Sequence, residues 1–125
     1  SLIDKLRKEE KMSVLLITHD LGVVAEYCDR VGVIYGGKIV EVASSKNLFL
    51  SPKHQYTQAL IKAIPSNNKK GKKLSTIDGV VPDPKNRPVG CCFHNRCSAA
   101  VDKCTQETPI MTKETHQFSC WNPAT

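Results

Sequence analysis

Residues 12–28, which read MSVLLITHDLGVVAEYC, decide the fold class of this chain. The run Val14–Ile17 is apolar at every position, which is typical of a central parallel strand covered on both faces, and it predicts a strand over 12–18. Four residues then recur at helical spacing: Leu21, Val24, Ala25 and Cys28. With Asp20 as N-cap they predict a helix over 21–28, the last of them being a small core residue. A strand followed by a helix indicates an α/β fold.

Further helices and a hairpin are predicted on either side of this stretch. Gly36-Gly37 stands between two strand-like runs and is a two-residue turn signal, so it predicts a β-hairpin. Pro52 and Pro65 each end a segment, because proline cannot continue a helix. The predicted elements are a helix at 2–11, strands at 30–35 and 38–43, a short helix capped by Ser45 and reaching Leu50, and a helix marked by Tyr56, Leu60, Ala63 and Ile64.

The net charge of +6 is concentrated in one part of the 125 residues. Residues 65–88 hold six Lys or Arg against two Asp or Glu, and they are rich in proline. Four of these lysines surround Gly71: Lys69, Lys70, Lys72 and Lys73. Such a cluster can bind nucleic-acid phosphates, but no aromatic residue or recognition helix accompanies it, so a solvated linker is favoured. The predicted organisation is an α/β part at 1–64, this basic linker, and a small irregular segment at 89–125.

Five of the six cysteines lie in the last 37 residues: Cys91, Cys92, Cys97, Cys104 and Cys120. So short a segment rarely folds by burial alone, and no secretion signal points to disulfides, so metal ligation is favoured. Setting Cys92 aside, the spacing Cys91-x5-Cys97-x6-Cys104-x15-Cys120 offers four thiolates. The wide spacings suit a cubane iron–sulfur cluster. Zinc stays open, because Cys92-x4-Cys97 can form a close ligand pair.

Other side chains of this segment are candidates for supporting such a centre. They are His94 and His116 as spare zinc ligands, Phe93, Phe118 and Trp121 as a shield, and Arg96 and Lys103 as cations that offset negative charge. Only Ser98–Cys104 has a helical pattern there.

His19 follows the predicted strand, at the carboxyl end where α/β sheets bind ligands. An imidazole there can contact a phosphate oxygen or position a water, and a capping or core-edge histidine is the alternative. Residues 32–38, GVIYGGK, fit the spacing of a phosphate loop. However, Ile39 stands where Ser or Thr would bind magnesium, and a strand follows where a helix is required. The hairpin turn explains these glycines, so no nucleotide site is predicted in this chain alone.

Several stretches of the sequence resemble the ATP-binding subunits of ABC transporters that import oligopeptides and dipeptides. Residues 15–25, LLITHDLGVVA, together with Cys28–Val31 and 35–41, YGGKIVE, are similar to the region of the switch histidine. Residues 48–65, with His54 and Tyr56 among them, resemble a stretch typical of the peptide importers, and 90–104 resembles their C-terminal extension.

The resemblance implies the C-terminal part of a P-loop ATPase core, followed by a cysteine-rich metal-binding extension. It places His19 at the switch histidine, which contacts the ATP γ-phosphate, and it gives the catalytic role to that residue. It also places four cysteines at the ligands of a [4Fe–4S] cluster: Cys91, Cys97, Cys104 and Cys120. The Walker A, Q-loop, signature and Walker B motifs do not occur in this sequence. Together with the missing initial Met, this predicts a piece of an ATPase that uses ATP and Mg, and a piece that is inactive alone.

The resemblance also implies the partners. They are a second ATP-binding subunit, two transmembrane permease subunits and, indirectly, a substrate-binding protein, at the cytoplasmic face of the membrane and without nucleic acid. An unpaired strand at Val14–Ile17 further predicts self-association or a rearranged sheet. A small zinc-binding module for nucleic acid is the alternative hypothesis.

Overall fold

The computed structural model describes residues 2–64 and 77–125. In chain order the elements are α1 (Leu2–Glu10), α2 (Leu21–Tyr27), β1 (Arg30–Tyr35), β2 (Lys38–Ser44), α3 (Ser45–Leu50), α4 (Gln55–Lys62) and β3 (Gln117–Phe118), with 3-10 turns at His94–Arg96 and Asp102–Thr105. None of the described helices has the length and apolar character needed to cross a membrane. The lysine cluster around Gly71 lies outside the described residues.

The predicted β-hairpin is confirmed. Gly36 and Gly37 have φ angles of 58° and 80°, and these left-handed values suit the tight turn between β1 and β2. The two strands are antiparallel, and the register shifts where Val33 pairs with Glu41 but the next residue pairs with Ile39. Val40 is therefore the extra residue of a β-bulge. As a result Val40 and Glu41, although successive, are both buried.

The end of the chain adds a third strand that the sequence did not predict. In β3, Phe118 pairs with Glu41 and Gln117 with Val42, which gives an antiparallel sheet in the order β1-β2-β3. The Ser119 N–H also donates to the Val40 carbonyl at 2.9 Å. The cysteine-rich segment is therefore joined to the hairpin by backbone hydrogen bonds.

The prediction of a strand over 12–18 is wrong for the described residues. These residues form no strand, and Leu15 and Ile17 are 88% and 87% exposed. A central parallel strand requires hydrogen-bonded neighbours, and no described segment pairs with this one. The fold remains α/β, but the sheet that the chain forms is small and antiparallel.

The helix after this stretch is confirmed, with one correction. Asp20 caps α2, because its Oδ1 atom accepts hydrogen bonds from the Gly22 and Val23 N–H groups at 3.0 and 3.3 Å. Of the apolar residues of α2, only Val24 is buried, and Cys28 lies half-buried at the helix end rather than in the core.

Two other local predictions need correction. The N-cap of α3 is Ser44, whose Oγ accepts from the Asn47 N–H at 3.2 Å, and not Ser45. The helix predicted over Ser98–Cys104 is reduced to the 3-10 turn at Asp102–Thr105. Contacts distant in sequence override the helical pattern there, since the Cys104 carbonyl accepts from the Cys91 N–H at 2.8 Å.

One hydrophobic cluster joins the hairpin and the cysteine-rich segment. Its buried members are Val33, Tyr35, Val40, Ala43, Leu48, Cys91, Phe93 and Cys104. The rings of Tyr35, Tyr56 and Phe93 lie against one another, with centroids 4.6 to 5.3 Å apart. The cysteines are thus positioned by packing on β1, β2 and α4.

Candidate functional site

The four cysteines that are predicted as cluster ligands lie near one another. Cys91 and Cys104 are buried, while Cys97 and Cys120 are half-buried, and all four thiols are free. Burial raises the pKa of the Cys97 thiol, and the nearby thiols of the other three raise it further. Burial likewise raises the pKa of Cys120, with Cys91 and Cys104 acting in the same direction. Each of these two sulfurs is therefore within electrostatic range of its predicted co-ligands.

Backbone N–H groups point at all four sulfurs. They are those of Phe93 to Cys91, Ala99 to Cys97, Val101 to Cys104 and Asn122 to Cys120. In three of these pairs the donor follows the cysteine by two residues, and the Val101 N–H lies 3.4 Å from the Cys104 sulfur. An N–H aimed at sulfur favours the thiolate, which is the form that binds metals. Burial and neighbouring thiols outweigh these donors, because the pKa values of Cys91, Cys97 and Cys120 are raised overall.

The sulfurs do not converge on a point that would hold a single ion. Within residues 2–64 and 77–125, no three His, Cys, Asp or Glu side chains are arranged to bind a metal. The ligand sulfurs of a cubane cluster stand farther apart than the ligands of one ion, since each binds a different iron atom. The described residues therefore show no preformed metal centre, and the binding of a cluster stays a prediction.

Close backbone contact fixes Cys91 beside Cys104. The Cys91 N–H donates to the Cys104 carbonyl at 2.8 Å. At the preceding Gly90, with φ of 86°, a Cβ atom would stand 2.1 Å from that carbonyl oxygen. Only glycine allows this approach, so Gly90 determines the spacing between the two buried cysteines.

Glu41 is a buried carboxylate that connects three segments, and sequence reasoning missed its role. Its Oε1 atom accepts from the His54 N–H at 2.7 Å, and Oε2 accepts from the Lys53 N–H at 2.9 Å. The His116 ring nitrogen Nε2 lies 2.5 Å from Oε2. His116 is thus engaged with Glu41 through Nε2, so only its Nδ1 atom is left for the predicted role of spare zinc ligand. The only sequence signal for Glu41 is a carboxylate inside an apolar strand.

His54 is the second residue whose role the sequence did not show. It is 1% exposed, and its Nδ1 atom accepts a hydrogen bond from the Tyr56 N–H at 3.0 Å, which caps α4. Its Nε2 atom has no partner of normal hydrogen-bond geometry among the described residues. The His54 ring lowers the pKa of the Cys91 thiol, but the effects of Cys92 and of burial, which raise this pKa, are larger.

The adjacent thiols of Cys91 and Cys92 affect each other in opposite directions. The pKa of Cys91 is raised to about 12, first by its hydrogen bond to Cys92 and then by burial. The pKa of Cys92 is lowered to about 7, mainly by the hydrogen bond from Cys91, with Lys38 and Arg87 adding positive charge. Both residues line a cavity of about 130 Å³ that His54 also lines.

The two predicted charge-balancing cations have other contacts. The Arg96 guanidinium donates to the carbonyls of Ile77 and Asp78 at 3.3 and 2.9 Å, and to the Tyr35 hydroxyl at 3.2 Å. Arg96 therefore holds residues 77–78 against the hairpin. Lys103 lies 3.8 Å from the centre of the Trp121 ring, so it makes a cation–π contact.

The three aromatic residues that were predicted to shield a metal centre differ in burial, and His94 lies in a turn. Phe93 is 2% exposed and lies in the core between the cysteines and α4, while Phe118 and Trp121 are only half-buried. The Trp121 indole N–H donates to the Glu107 carbonyl at 2.8 Å. His94 begins a 3-10 turn, and its carbonyl accepts from the Cys97 N–H at 3.3 Å.

His19 is exposed, two residues before the start of α2. The Asp20 N–H donates to Thr18 Oγ1 at 3.0 Å, and Asp20 itself caps the helix, so His19 is not the capping residue. The junction thus presents the imidazole to solvent.

The described chain combines a small antiparallel sheet, four neighbouring cysteines and an exposed histidine before α2, and it matches a known family. The family model described as "Oligopeptide/dipeptide transporter, C-terminal region" matches residues 40–104, about half of the chain, so the chain belongs to that family. The match includes most of β2, all of α3 and α4, and three of the four predicted ligand cysteines.

Curated relatives cover most of the chain. It is 44% identical over 108 residues to "Dipeptide transport ATP-binding protein DppD" of Haemophilus influenzae, a match that covers 86% of this chain and 33% of the relative. The protein of the same name in Escherichia coli is 39% identical, with 98% and 38% covered. "Putative peptide import ATP-binding protein BOV_A0348" of Brucella ovis is 42% identical, with 95% and 38% covered. The chain spans little more than a third of the length of these relatives.

Proposed function

We propose that this chain is the C-terminal part of an ATP-binding subunit that powers ATP-dependent import of dipeptides or oligopeptides. The observation that carries the proposal is the family match over residues 40–104. The names of the relatives, which are dipeptide transport and peptide import ATP-binding proteins, support it. The working subunit binds ATP and Mg and pairs with a second ATP-binding subunit on two permease subunits, at the cytoplasmic face of the membrane. A substrate-binding protein delivers the peptide.

Within that subunit, His19 acts as the switch histidine that contacts the γ-phosphate and helps to hold the attacking water. The exposed position of His19 before the capped helix α2 supports this role, because the imidazole is free to face a nucleotide held by other parts of the subunit. The test is His19→Ala in the full-length subunit, assembled with its permease. We expect ATP turnover to fall at least about 100-fold with unchanged ATP binding, in line with the usual effect of general acid–base or positioning groups. Normal turnover would remove His19 from the mechanism.

The chain taken alone is inactive in this proposal, because the motifs that cradle ATP and magnesium are absent from its sequence. ATP hydrolysis by the isolated 125 residues, retained after ion-exchange and size-exclusion steps, would contradict this. The same chromatography reports whether the exposed residues 12–17 cause the isolated chain to self-associate.

The cysteine cluster binds a [4Fe–4S] cluster in this proposal, through Cys91, Cys97, Cys104 and Cys120. Their shared neighbourhood and the N–H donors at their sulfurs support it. When bound, such a cluster supplies a one-electron couple and replaces part of the missing hydrophobic core. Anaerobically purified protein should contain about four irons per chain and absorb broadly in the visible range. Stoichiometric zinc in a colourless protein would favour the zinc alternative instead.

Replacement of one ligand tests the assignment of individual cysteines. Cys97→Ser should lower the iron content to near zero and make the cysteine-rich segment, together with the hairpin and α4 that share its core, more sensitive to protease. Cys28→Ser is the matched control, since Cys28 lies at the end of α2, and it should leave the iron content unchanged. Full iron content in Cys97→Ser would exclude Cys97 as a ligand.

A further inference from the structure

We propose that Thr18 is a positioning residue for His19, and that its hydroxyl oxygen fixes the direction in which the His19 side chain leaves the backbone. The inference rests on the proposed role of His19 at the γ-phosphate and adds a second residue to it. Thr18 does not contact ATP in this inference. It acts only through the backbone that carries the imidazole.

The first argument is a side-chain hydrogen bond that closes a turn around His19. The Thr18 Oγ1 atom accepts from the Asp20 backbone N–H at 3.0 Å. Threonine hydroxyls form such bonds with the N–H group two residues later, and the resulting turn encloses the residue between them. That residue is His19, and the chain bends there. The hydrogen bond therefore restricts the backbone of His19.

The second argument is that one end of this turn is anchored to a helix. The Asp20 Oδ1 atom accepts from the N–H groups of Gly22 and Val23, which makes Asp20 the N-cap of α2. At Gly22 a Cβ atom would stand 3.2 Å from this oxygen, so glycine leaves room for the cap. The bond to Thr18 thus connects the chain before His19 to a capped helix.

The third argument is that the turn depends on local sequence alone. Its hydrogen bond and those of the cap join residues only two or three positions apart. Bonds of this kind need no contact with distant segments. The turn at His19 therefore keeps its geometry whether or not residues 12–18 are paired as a strand.

The fourth argument is the exposure of the junction. Thr18, His19 and Asp20 are all exposed, so packing does not hold the imidazole in place. Ordering a residue costs conformational entropy, and a group that is already ordered when the substrate binds avoids that cost during the reaction. Without the hydroxyl, His19 would point in several directions, and fewer subunits would hold the imidazole where it reaches the γ-phosphate.

A matched pair of variants isolates the hydroxyl. Thr18→Val removes the acceptor and keeps a β-branched side chain. Thr18→Ser keeps the hydroxyl, and serine forms the same turn. Ser13→Ala is the control, because it removes an exposed hydroxyl elsewhere in the same stretch of chain.

The experiment is steady-state ATP hydrolysis by the full-length subunit, assembled with its permease. We expect Thr18→Val to lower kcat about tenfold and to leave the KM for ATP within about twofold of wild type, because His19 acts in the transition state. Thr18→Ser and Ser13→Ala should stay within about threefold of the wild-type kcat. The melting temperature of the subunit should be the same in all of these variants.

A double variant tests whether Thr18 acts through His19. When His19→Ala is already present, Thr18→Val should change the remaining turnover by less than about twofold, because no imidazole is left to position. A residue that only supports folding would lower turnover by the same factor in both backgrounds.

The outcomes separate this inference from the proposed role of His19. If His19→Ala lowers turnover and Thr18→Val does not, the role of Thr18 is overturned and that of His19 stands. The same holds if Thr18→Ser loses as much turnover as Thr18→Val, if the losses are equal in both backgrounds, or if KM rises while kcat is normal. Normal turnover in His19→Ala overturns both.

Discussion

At the scale of single residues, Glu41 holds together parts of the chain that are far apart in sequence. Its carboxylate accepts from the backbone before α4 and pairs with His116 near β3, although it is completely buried. A buried carboxylate is tolerated when its oxygens are satisfied by such donors. Glu41 therefore links the hairpin, α4 and the end of the chain.

We predict that Glu41→Gln destabilises the protein by about 2–4 kcal/mol, because the amide oxygen can accept from only one of the two backbone N–H groups, and the new N–H₂ group faces the other and leaves it unsatisfied. Urea unfolding of the 125-residue chain measures the loss. Glu114→Gln, at an exposed position, is the matched control and should change the free energy of unfolding by less than about 0.5 kcal/mol. Equal stabilities of the two variants would contradict the role given to Glu41.

Gly90 gives a second prediction at this scale. In Gly90→Ala the new Cβ atom would stand 2.1 Å from the Cys104 carbonyl oxygen, at a φ of 86° that disfavours side chains. We expect a loss of at least about 2 kcal/mol, because Cys91 is displaced from Cys104, and the cluster binding proposed above should weaken with it.

The control for this prediction is Gly32→Ala. At Gly32 the nearest atom to a new Cβ is a Val42 methyl carbon at 4.0 Å, which is ordinary contact. A strand position also favours alanine over glycine. Gly32→Ala should therefore keep wild-type stability and iron content, and a Gly90→Ala variant that matched it would show that the close approach is not required.

Sequence reasoning identified some of these residues and not others, for a physical reason. Asp20 was predicted as an N-cap because capping depends on residues two and three positions away. The burial of Glu41 was not predicted, because regular alternation of side chains along β2 would place Glu41 on the opposite face of the strand from Val40. Only the bulge, which depends on pairing with β1, buries both.

At the scale of elements, local signals predicted the hairpin and failed for the strand at 12–18. The pair Gly36-Gly37 specifies its own turn geometry, so the hairpin follows from a short stretch. The apolar residues Val14–Ile17 specify burial but not a pairing partner, and none lies within the described residues. Strand β3 has two residues and no alternation, so it gave no signal at all.

We predict that β3 protects the edge of β2. Ser119→Pro removes the N–H that donates to the Val40 carbonyl at 2.9 Å, and it should cost about 2–3 kcal/mol. Hydrogen exchange of the β2 amides should become faster in this variant. Ser119→Ala keeps the N–H and is the matched control, so fast exchange in both variants would assign the effect to the hydroxyl.

At the scale of the whole molecule, the described chain has a core that both the hairpin and the cysteine-rich segment share. Phe93 lies 2% exposed between Tyr35 and Tyr56, and Cys91 and Cys104 belong to the same cluster. The sequence predicted a separate cysteine-rich segment because its composition changes sharply at residue 89. Packing between segments distant in sequence leaves no such mark in composition.

We predict that the hairpin and the cysteine-rich segment unfold together. Phe93→Ala removes a buried ring from the shared core and should cost about 3–5 kcal/mol. Trp121, the single tryptophan, reports on the cysteine-rich segment by fluorescence, and hydrogen exchange of β1 reports on the hairpin. The urea concentration at which Trp121 fluorescence changes and the one at which the β1 amides lose protection should both fall by the same amount. Leu50→Ala, at a side chain 74% exposed, is the control and should shift neither. If Phe93→Ala moved the Trp121 transition and left exchange in β1 unchanged, the two parts would be separate folding units.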